Sequence, residues 1–249
     1  MWAIYRKEMR QYLLTPLAWI VWVCFLFLVG WVFQFFVGQA LDSVYTGQTD
    51  QSLTEFVVTR WFNFMRFVLI FVVPILSMRL FAEEKQTGTL ELLFTYPLTE
   101  LQMIFGKLLA ALTVAGIMMG LTFPPILWIS KYGSIDWSVL ATSYLGIMLL
   151  ITVALSIGTF ASSLTNSQVV AFIITLITLL GLWLAAPLTD RVQAGLGRFV
   201  HELSLIDHYE NFSRGIINSA DVVFYLSMAA FFVFLTAKQL ESRKWRGTS

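Results

Sequence analysis

Charged residues are scarce in this sequence. Only 12% of its 249 residues are Asp, Glu, Lys or Arg, whereas 58% are hydrophobic. A soluble domain carries about twice that share of charge, so the composition predicts an integral membrane protein. The net charge of +1 offers no basic surface for a nucleic acid. The single cysteine, Cys24, excludes an intrachain disulfide and a thiolate metal cluster.

A nucleotide-binding loop is also missing. The only Gly-Lys pair, Gly106-Lys107, has Leu101 where a P-loop has its first glycine and Leu108 where it has Ser or Thr. We therefore expect the chain to take energy from a partner. An intramembrane enzyme would need paired acids, or a His and Ser or Asp and His arrangement, at membrane depth, and none is present. We predict no catalytic residue.

One polar grouping could imitate a metal or acid–base site. It consists of His201, Glu202, Asp207, His208 and Glu210. The two histidines are seven residues apart, with a helix break expected at Ser204 between them, which is too far for chelation from one helix. We expect solvated caps and an interfacial polar face here, and no metal; metal ligation is the alternative.

Long apolar runs dominate the rest of the chain. They predict a single all-α integral membrane domain, with six transmembrane helices over residues 17–37, 62–78, 108–129, 140–164, 169–186 and 222–237. The connecting segments are an amphipathic interfacial elbow helix at 1–15, a charged segment at 79–107, an outer loop with amphipathic helices at 187–221 and a tail at 238–249.

The distribution of Lys and Arg predicts the orientation. One side of the six-span arrangement would carry Arg6, Lys7, Arg10, Arg79, Lys85, Lys107, Lys238, Arg243, Lys244 and Arg246. The other side would carry Arg60, Lys131, Arg191, Arg198 and Arg214. Because basic loops stay inside, we expect both termini in the cytoplasm.

Arg66 lies inside the second predicted span. An ionisable residue at membrane depth is a candidate functional residue by default. The alternative is that its long side chain extends back to the outer interface.

The segment from Arg79 to Lys107 has helical spacing between two spans. Leu90, Leu93 and Phe94 fall on one helical face. Three helix start and stop signals divide the segment. Gly88 ends a first helix, Pro97 ends a second, and Thr99-x-x-Gln102 is a capping box that starts the next. We predict two short helices and a turn.

These motifs resemble the ABC-2 type transporter permeases. The matching residues are Met78-Arg79, Glu83-Glu84, Gly88-Thr89-Leu90-Glu91-Leu92-Leu93, Pro97 and Gly106-Lys107, followed near the C-terminus by Ser204-Leu205, Asp207-His208, Phe212-Ser213-Arg214-Gly215-Ile216 and Asp221. The closest likeness is to the permeases of gliding motility and of nitrous-oxide-reductase maturation.

The resemblance implies that the segment after the second span is a cytoplasmic coupling helix that rests on a separate ATPase. The implied interface residues are Glu83, Glu84, Gly88, Thr89, Leu90, Glu91, Leu93, Phe94 and Pro97. Exposed charge would pair with a basic cleft, and the apolar ridge would seat in a groove. The outer-loop residues of the motif are Asp207, His208, Phe212, Arg214 and Gly215.

The resemblance further implies a permease subunit of an ATP-driven exporter in the bacterial inner membrane. Its expected partners are a second copy of this chain, two ATPase subunits that hold the ATP and Mg²⁺, the lipid bilayer and, in the gliding type, an auxiliary membrane protein with a periplasmic domain. No cofactor is expected in this chain. The alternative is a membrane anchor for an ATPase-driven motility or signalling complex, in which no solute crosses.

Overall fold

The described part of the structure is helical throughout. The computed structural model describes residues 1–45, 54–89, 99–132, 135–189 and 204–246, and those ranges contain no strand. The helices are α1 (Trp2–Leu14), α2 (Pro16–Tyr45), a π-helical turn (Thr54–Thr59), α3 (Arg60–Ser77), α4 (Arg79–Gln86), α5 (Glu100–Gly120), α6 (Phe123–Ile129), α7 (Trp137–Leu164), α8 (Gln168–Thr189), α9 (Leu205–Ser213) and α10 (Ser219–Arg246).

Six stretches are long and apolar enough to cross a membrane, in agreement with the prediction. They are Pro16–Ser43, Val57–Gln86, Glu100–Ile129, Trp137–Leu164, Gln168–Ala185 and Ser219–Ser242. The second and third are longer than the apolar runs 62–78 and 108–129. In both stretches the helix continues through a turn that carries charged residues. Packing buries residues such as Glu84 and Lys107, which hydropathy alone places outside a span.

The fourth span, α7, is the centre of the bundle. It packs against α3, α4, α5, α8, α9 and α10. Two glycines permit its closest approaches. A Cβ on Gly146 would lie 2.8 Å from Cβ of Phe212 in α9, and one on Gly158 would overlap the Ser77 side chain at the end of α3. These contacts place α9 at one end of α7 and the α3–α4 junction near the other.

Local sequence signals end and begin several helices as predicted. Thr99 and Gln102 form the predicted capping box at the start of α5. Gly88 has a φ of +69°, a left-handed conformation that favours glycine, and it follows the end of α4. The Ser204 hydroxyl accepts hydrogen bonds from the N–H groups of Ile206 and Asp207 and thereby caps α9.

Helix α9 and the turn that follows it lie within the predicted outer loop, 187–221. Leu205, Tyr209 and Phe212 form its buried face. Two hydrogen bonds hold its backbone: Thr142 Oγ1 donates to the Phe212 carbonyl at 2.8 Å, and the Tyr225 hydroxyl donates to the Leu205 carbonyl at 2.8 Å. The short helix is therefore fixed on the fourth and sixth spans.

The contact of Gly158 with Ser77 predicts a sharp size limit. Gly158→Ala should lower the free energy of unfolding by about 1–3 kcal/mol, because α3 and α7 must separate to admit the methyl group. The measurement is the thermal unfolding midpoint of the purified protein in detergent. Gly181→Ala on α8, where a Cβ would meet nothing within 4 Å, is the matched control. Equal midpoints for the two variants would contradict the close approach.

Candidate functional site

A buried ion cluster joins three helices at the α4 end of the bundle. The Lys107 ammonium on α5 lies 2.6 Å from Glu8 Oε1 on α1 and 3.0 Å from Glu84 Oε2 on α4. The lysine side chain is 1% exposed, and its Nζ lies 5.2 Å from the centre of the Phe81 ring. A fourth charge, Lys7, contacts the other oxygen of Glu84 at 2.9 Å. We call these four residues the inner ion cluster.

The pattern of α1 explains how Glu8 reaches Lys107. Ile4, Glu8 and Tyr12 recur every four residues and form the buried face of this helix. Ile4 also lies against Gly106, so that Glu8 is positioned beside the next residue of α5.

Glu84 requires a correction. Its place in the charged segment predicted an exposed carboxylate that meets a partner, but the residue is 8% exposed and binds two lysines of its own chain. Partial burial alone would lower the pKa of Lys7, but the hydrogen bond and charge of Glu84 raise it. Glu84 thus neutralises charge inside the bundle.

Helix α4 is held in turn by the end of α7. Ser162 Oγ accepts hydrogen bonds from the N–H groups of Phe81 and Ala82, at 3.0 and 2.9 Å, and donates to the Met78 carbonyl at 2.9 Å. A serine of another helix therefore caps the first turn of α4, where no residue of α4 itself does so. Lys85 donates to the Ser163 carbonyl, which ties the far end of α4 to the same helix.

Tyr12 completes the attachment of α1. Its hydroxyl donates to the Leu76 carbonyl at 2.7 Å, and the Arg79 guanidinium lies 4.3 Å above its ring. Full burial raises the pKa of Tyr12, which keeps the phenol neutral and able to donate. Gln11 Nε2 adds a bond of 3.1 Å to Glu83. The first helix, α1, is thus bonded to α3, α4 and α5.

The remaining residues of the predicted coupling interface divide into two groups. Glu83 is partly buried, whereas Gly88 and Thr89 are exposed at the end of α4. The others, Leu90, Glu91, Leu93, Phe94 and Pro97, lie outside the described residues, and their assignment stays a prediction. Glu84 and Lys107 sit on the two sides of this stretch, and their contact brings its flanking helices together.

A second polar cluster lies at the α9 end of the bundle. Asp221 at the start of α10 is 4% exposed; its Oδ1 lies 2.7 Å from His208 Nδ1, and its Oδ2 accepts from Asn211 at 2.7 Å. The His208 ring stacks on Phe224 with centroids 3.9 Å apart. Arg214 pairs with Glu210 one turn away. His208 and Asp207 had been expected as solvated caps, but His208 instead ties α9 to α10.

Two other residues of the predicted outer motif, and the intramembrane candidate Arg66, have defined places. Phe212 is buried against Gly146, and Gly215 ends α9 with a φ of +84°. Arg66 lies below this helix, with its guanidinium carbon 4.8 Å from the centre of the Tyr209 ring. His201 and Glu202 lie outside the described residues. Among the described residues, no group of three or more His, Cys, Asp or Glu could hold a metal ion.

A comparison with known families decides the class of the protein. The model of the ABC-2 family transporter proteins matches residues 2–238. The chain belongs to this ABC-2 family. No curated protein matches it significantly. ABC-2 proteins are multi-pass permease subunits of ABC transporters, generally without catalysis of their own, and membership implies a partner ATPase.

Sequence reasoning missed the residues that hold this ABC-2 chain together at its α4 end. Glu8, Lys107 and Ser162 were not identified as site residues, because their partners lie between 23 and 99 positions away along the chain. One signal was available: Glu8 falls between Ile4 and Tyr12 at a spacing of four. A carboxylate on a buried stripe needs a buried cation, and Lys107, directly before the third apolar run, is a candidate.

The inner ion cluster predicts a large effect from a single neutral substitution. Lys107→Met should lower the free energy of unfolding by about 3–5 kcal/mol, because Glu8 and Glu84 then remain buried without their shared cation. Thermal unfolding in detergent measures the effect. Lys131→Met, at an exposed turn, is the control. Adding Glu8→Gln to Lys107→Met should recover part of the lost stability. If Lys107→Met alone has the same unfolding midpoint as Lys131→Met, the inner ion cluster is contradicted.

Proposed function

We propose that this chain forms the membrane half of an ATP-driven exporter and that its partner ATPase docks on the stretch from Glu83 to Pro97. The observation that carries the proposal is the contact between Glu84, near the start of this stretch, and Lys107, ten residues beyond its end. A force on the stretch would act on both flanking helices at once. An isolated surface loop would need no such buried connection at its base.

The bonding around α4 supports a route for that force. Ser162 bonds to both sides of the α3–α4 junction, so a displacement of α4 is passed to α7 as well as to α3. Lys107 passes the same displacement to α5 and, through Glu8, to α1. On this proposal, closure of the ATPase pair tilts these helices together and alters the path between two permease copies.

The docking surface proposed here differs from the sequence-based assignment in one residue. Glu84 serves as a positioning residue inside the bundle. The surface for the ATPase comprises Glu83, the exposed Gly88 and Thr89, and the following charged and apolar residues, Leu90, Glu91, Leu93, Phe94 and Pro97. This set keeps a carboxylate for a basic cleft and an apolar ridge for a groove.

The proposed assembly has two permease copies and two ATPase copies in the bacterial inner membrane. Both termini and the α4 end would face the cytoplasm, as the Lys and Arg distribution favours. An auxiliary membrane protein with a periplasmic domain would join the assembly if the chain serves a gliding-type system. Nothing in this arrangement requires ATP or Mg²⁺ on the permease chain itself.

Charge reversal in the docking stretch tests the coupling. Glu91→Lys should weaken co-purification of the ATPase about tenfold or more, because like charges then meet across the interface. Leu93→Asp should do the same by placing a charge in the apolar groove. Lys131→Glu, at the opposite end of the bundle, is the control. If both variants retain the ATPase and its substrate-stimulated hydrolysis, the stretch is not the docking site.

Glu84→Lys should behave differently from Glu91→Lys. It places a third ammonium beside Lys7 and Lys107, so we expect lower thermal stability and yield in addition to any loss of ATPase. Glu91→Lys should leave the thermal midpoint unchanged. If the two variants are equally stable, Glu84 belongs to the exposed docking surface and is not a positioning residue inside the bundle.

Cysteine labelling tests the orientation. In a Cys24→Ser background, Gln86→Cys at the α4 end should resist a membrane-impermeant thiol reagent in intact cells. Lys131→Cys at the other end should react. The reverse pattern would invert the proposed topology. Substrate movement in liposomes that contain the chain and its ATPase separates an exporter from the alternative, an ATPase-driven anchor through which no solute passes.

A further inference from the structure

An open groove lies along the exposed side of α1, the helix that precedes the first span. It has a volume of about 460 Å³, and it is lined by Trp2, Ala3, Arg6, Lys7 and Arg10. All five residues are exposed, because α1 packs on α5 with its opposite side. Ala3 has the only short side chain among them and lies one turn from both Arg6 and Lys7. The groove therefore has open space above Ala3.

The groove is positively charged. Arg6 and Arg10 are four residues apart, so their side chains project from successive turns on one face of the helix. Within the described part of the chain, no carboxylate forms an ion pair with either arginine. Lys7 binds Glu84 at 2.9 Å, but its side chain is still 54% exposed. Two arginines without a counter-charge therefore border a space that an anion can enter.

The contacts of α1 define its depth in the bundle. The Tyr5 hydroxyl donates to Thr113 Oγ1 at 3.2 Å, and the Tyr12 hydroxyl donates to the Leu76 carbonyl at 2.7 Å. Thr113 and Leu76 lie a few residues inside the apolar runs of the third and second spans. The inner ion cluster, which the middle of α1 contacts, lies just beyond the ends of these runs. Helix α1 thus lies at the boundary between apolar and charged surface, which in a bilayer is the level of the lipid headgroups.

Exposed apolar side chains accompany the arginines on α1. Trp2 is 66% exposed, and its ring stacks on Tyr5 with centroids 5.0 Å apart. Leu13 and Leu14 are exposed at the other end of the helix. Tryptophan is enriched at membrane interfaces, because its ring is apolar and its N–H is polar. An acidic protein surface would satisfy the arginines alone, whereas a lipid matches the arginines with its phosphate and the apolar side chains with its acyl chains.

We propose that this groove binds the phosphate of an anionic phospholipid, with Arg6 and Arg10 as the hydrogen-bond donors and Trp2 beside the acyl chains. Guanidinium groups suit phosphate because their N–H donors match its oxygens in pairs. The two arginines approach from successive turns, so they can bind different oxygens of one phosphate. The short side chain of Ala3 leaves room for the phosphate beside them.

The proposed lipid would lie next to the inner ion cluster, because Lys7 borders the groove and also binds Glu84. A ligand that binds only the folded chain raises its unfolding midpoint by mass action. Binding is therefore measured on the purified permease alone and does not depend on the proposed ATPase docking. Failure of the docking experiment would leave this inference standing, and the reverse also holds.

The first test combines native mass spectrometry with thermal unfolding of the purified permease in detergent. The probes are phosphatidylglycerol, phosphatidylcholine with the same acyl chains, and inorganic phosphate. We expect phosphatidylglycerol to bind about tenfold more tightly than phosphatidylcholine and to raise the unfolding midpoint more, because its net negative charge is attracted by the two arginines. Inorganic phosphate should do neither, because it has no acyl chains. Equal binding of the two lipids, or an equal effect of phosphate, would overturn the proposal.

Variants then locate the binding. Arg6→Gln combined with Arg10→Gln should abolish the preference for phosphatidylglycerol. Ala3→Leu keeps both arginines but fills the groove, and it should reduce the preference severalfold. The matched control removes two exposed positive charges elsewhere, by Lys131→Gln combined with Lys238→Gln, and should change nothing. If the control weakens binding as much as the arginine variant does, or if Ala3→Leu has no effect, the lipid is held by general surface charge and the proposed groove is wrong.

The partner ATPase is the other candidate for this basic surface. If the combined Arg6→Gln and Arg10→Gln variant loses the ATPase but keeps its preference for phosphatidylglycerol, the arginines serve the protein partner, and the lipid proposal fails. We expect the opposite result, in which the lipid preference is lost and the ATPase is retained.

A last arm uses the unaltered chain, so that it does not depend on the folding of any variant. A phosphatidylglycerol with a photoreactive diazirine close to its phosphate should label the peptide that contains residues 1–10. Excess unlabelled phosphatidylglycerol should suppress the labelling, and phosphatidylcholine should not. Labelling spread evenly over the lipid-facing helices would contradict a defined site.

Discussion

The buried ammonium of Lys107 is the constraint on which the α4 end of this structure depends. A charge that is 1% exposed is tolerated only with close counter-charges, and the two that serve it come from different helices. Glu8 lies before the first span and Glu84 at the end of the second. Through these two contacts Lys107 ties α1, α4 and α5 to one another. The short helix at the N-terminus is therefore bonded into the helix bundle.

The fourth span links this group of helices to the opposite end of the molecule. Gly158 and Ser162 contact the α3–α4 junction, whereas Thr142 and Gly146 contact α9. Twelve residues separate the two glycines, which is about 18 Å of helix. Small side chains at both places bring the neighbouring helices close to α7, so that a tilt of α7 repositions α9 and the α3–α4 junction together.

Local signals account for what could be predicted from the sequence. Six apolar stretches gave the spans, and the capping box at Thr99, the turn at Gly88 and the cap at Ser204 depend on neighbours a few residues away. Charge pairing over long sequence distances could not be predicted this way. The spacing of Glu84 suits an exposed coupling residue as well as a buried one, and only the approach of Lys107 decides between them. For Ser162 there was no signal, because its partners are backbone groups of a distant helix.

The junction at Met78 decides how a displacement at α4 reaches the outer half of the bundle. Helices α3 and α4 are separate segments there, and an unsupported junction would bend and absorb the motion. Ser162 bonds to the Met78 carbonyl on one side and to the N–H groups of Phe81 and Ala82 on the other, which stiffens the bend. Ser162 therefore ties the start of α4 to the end of α3, the helix that carries Arg66. A displacement of α4 of the kind proposed for ATPase docking would then pass along α3 and would not be absorbed at the junction.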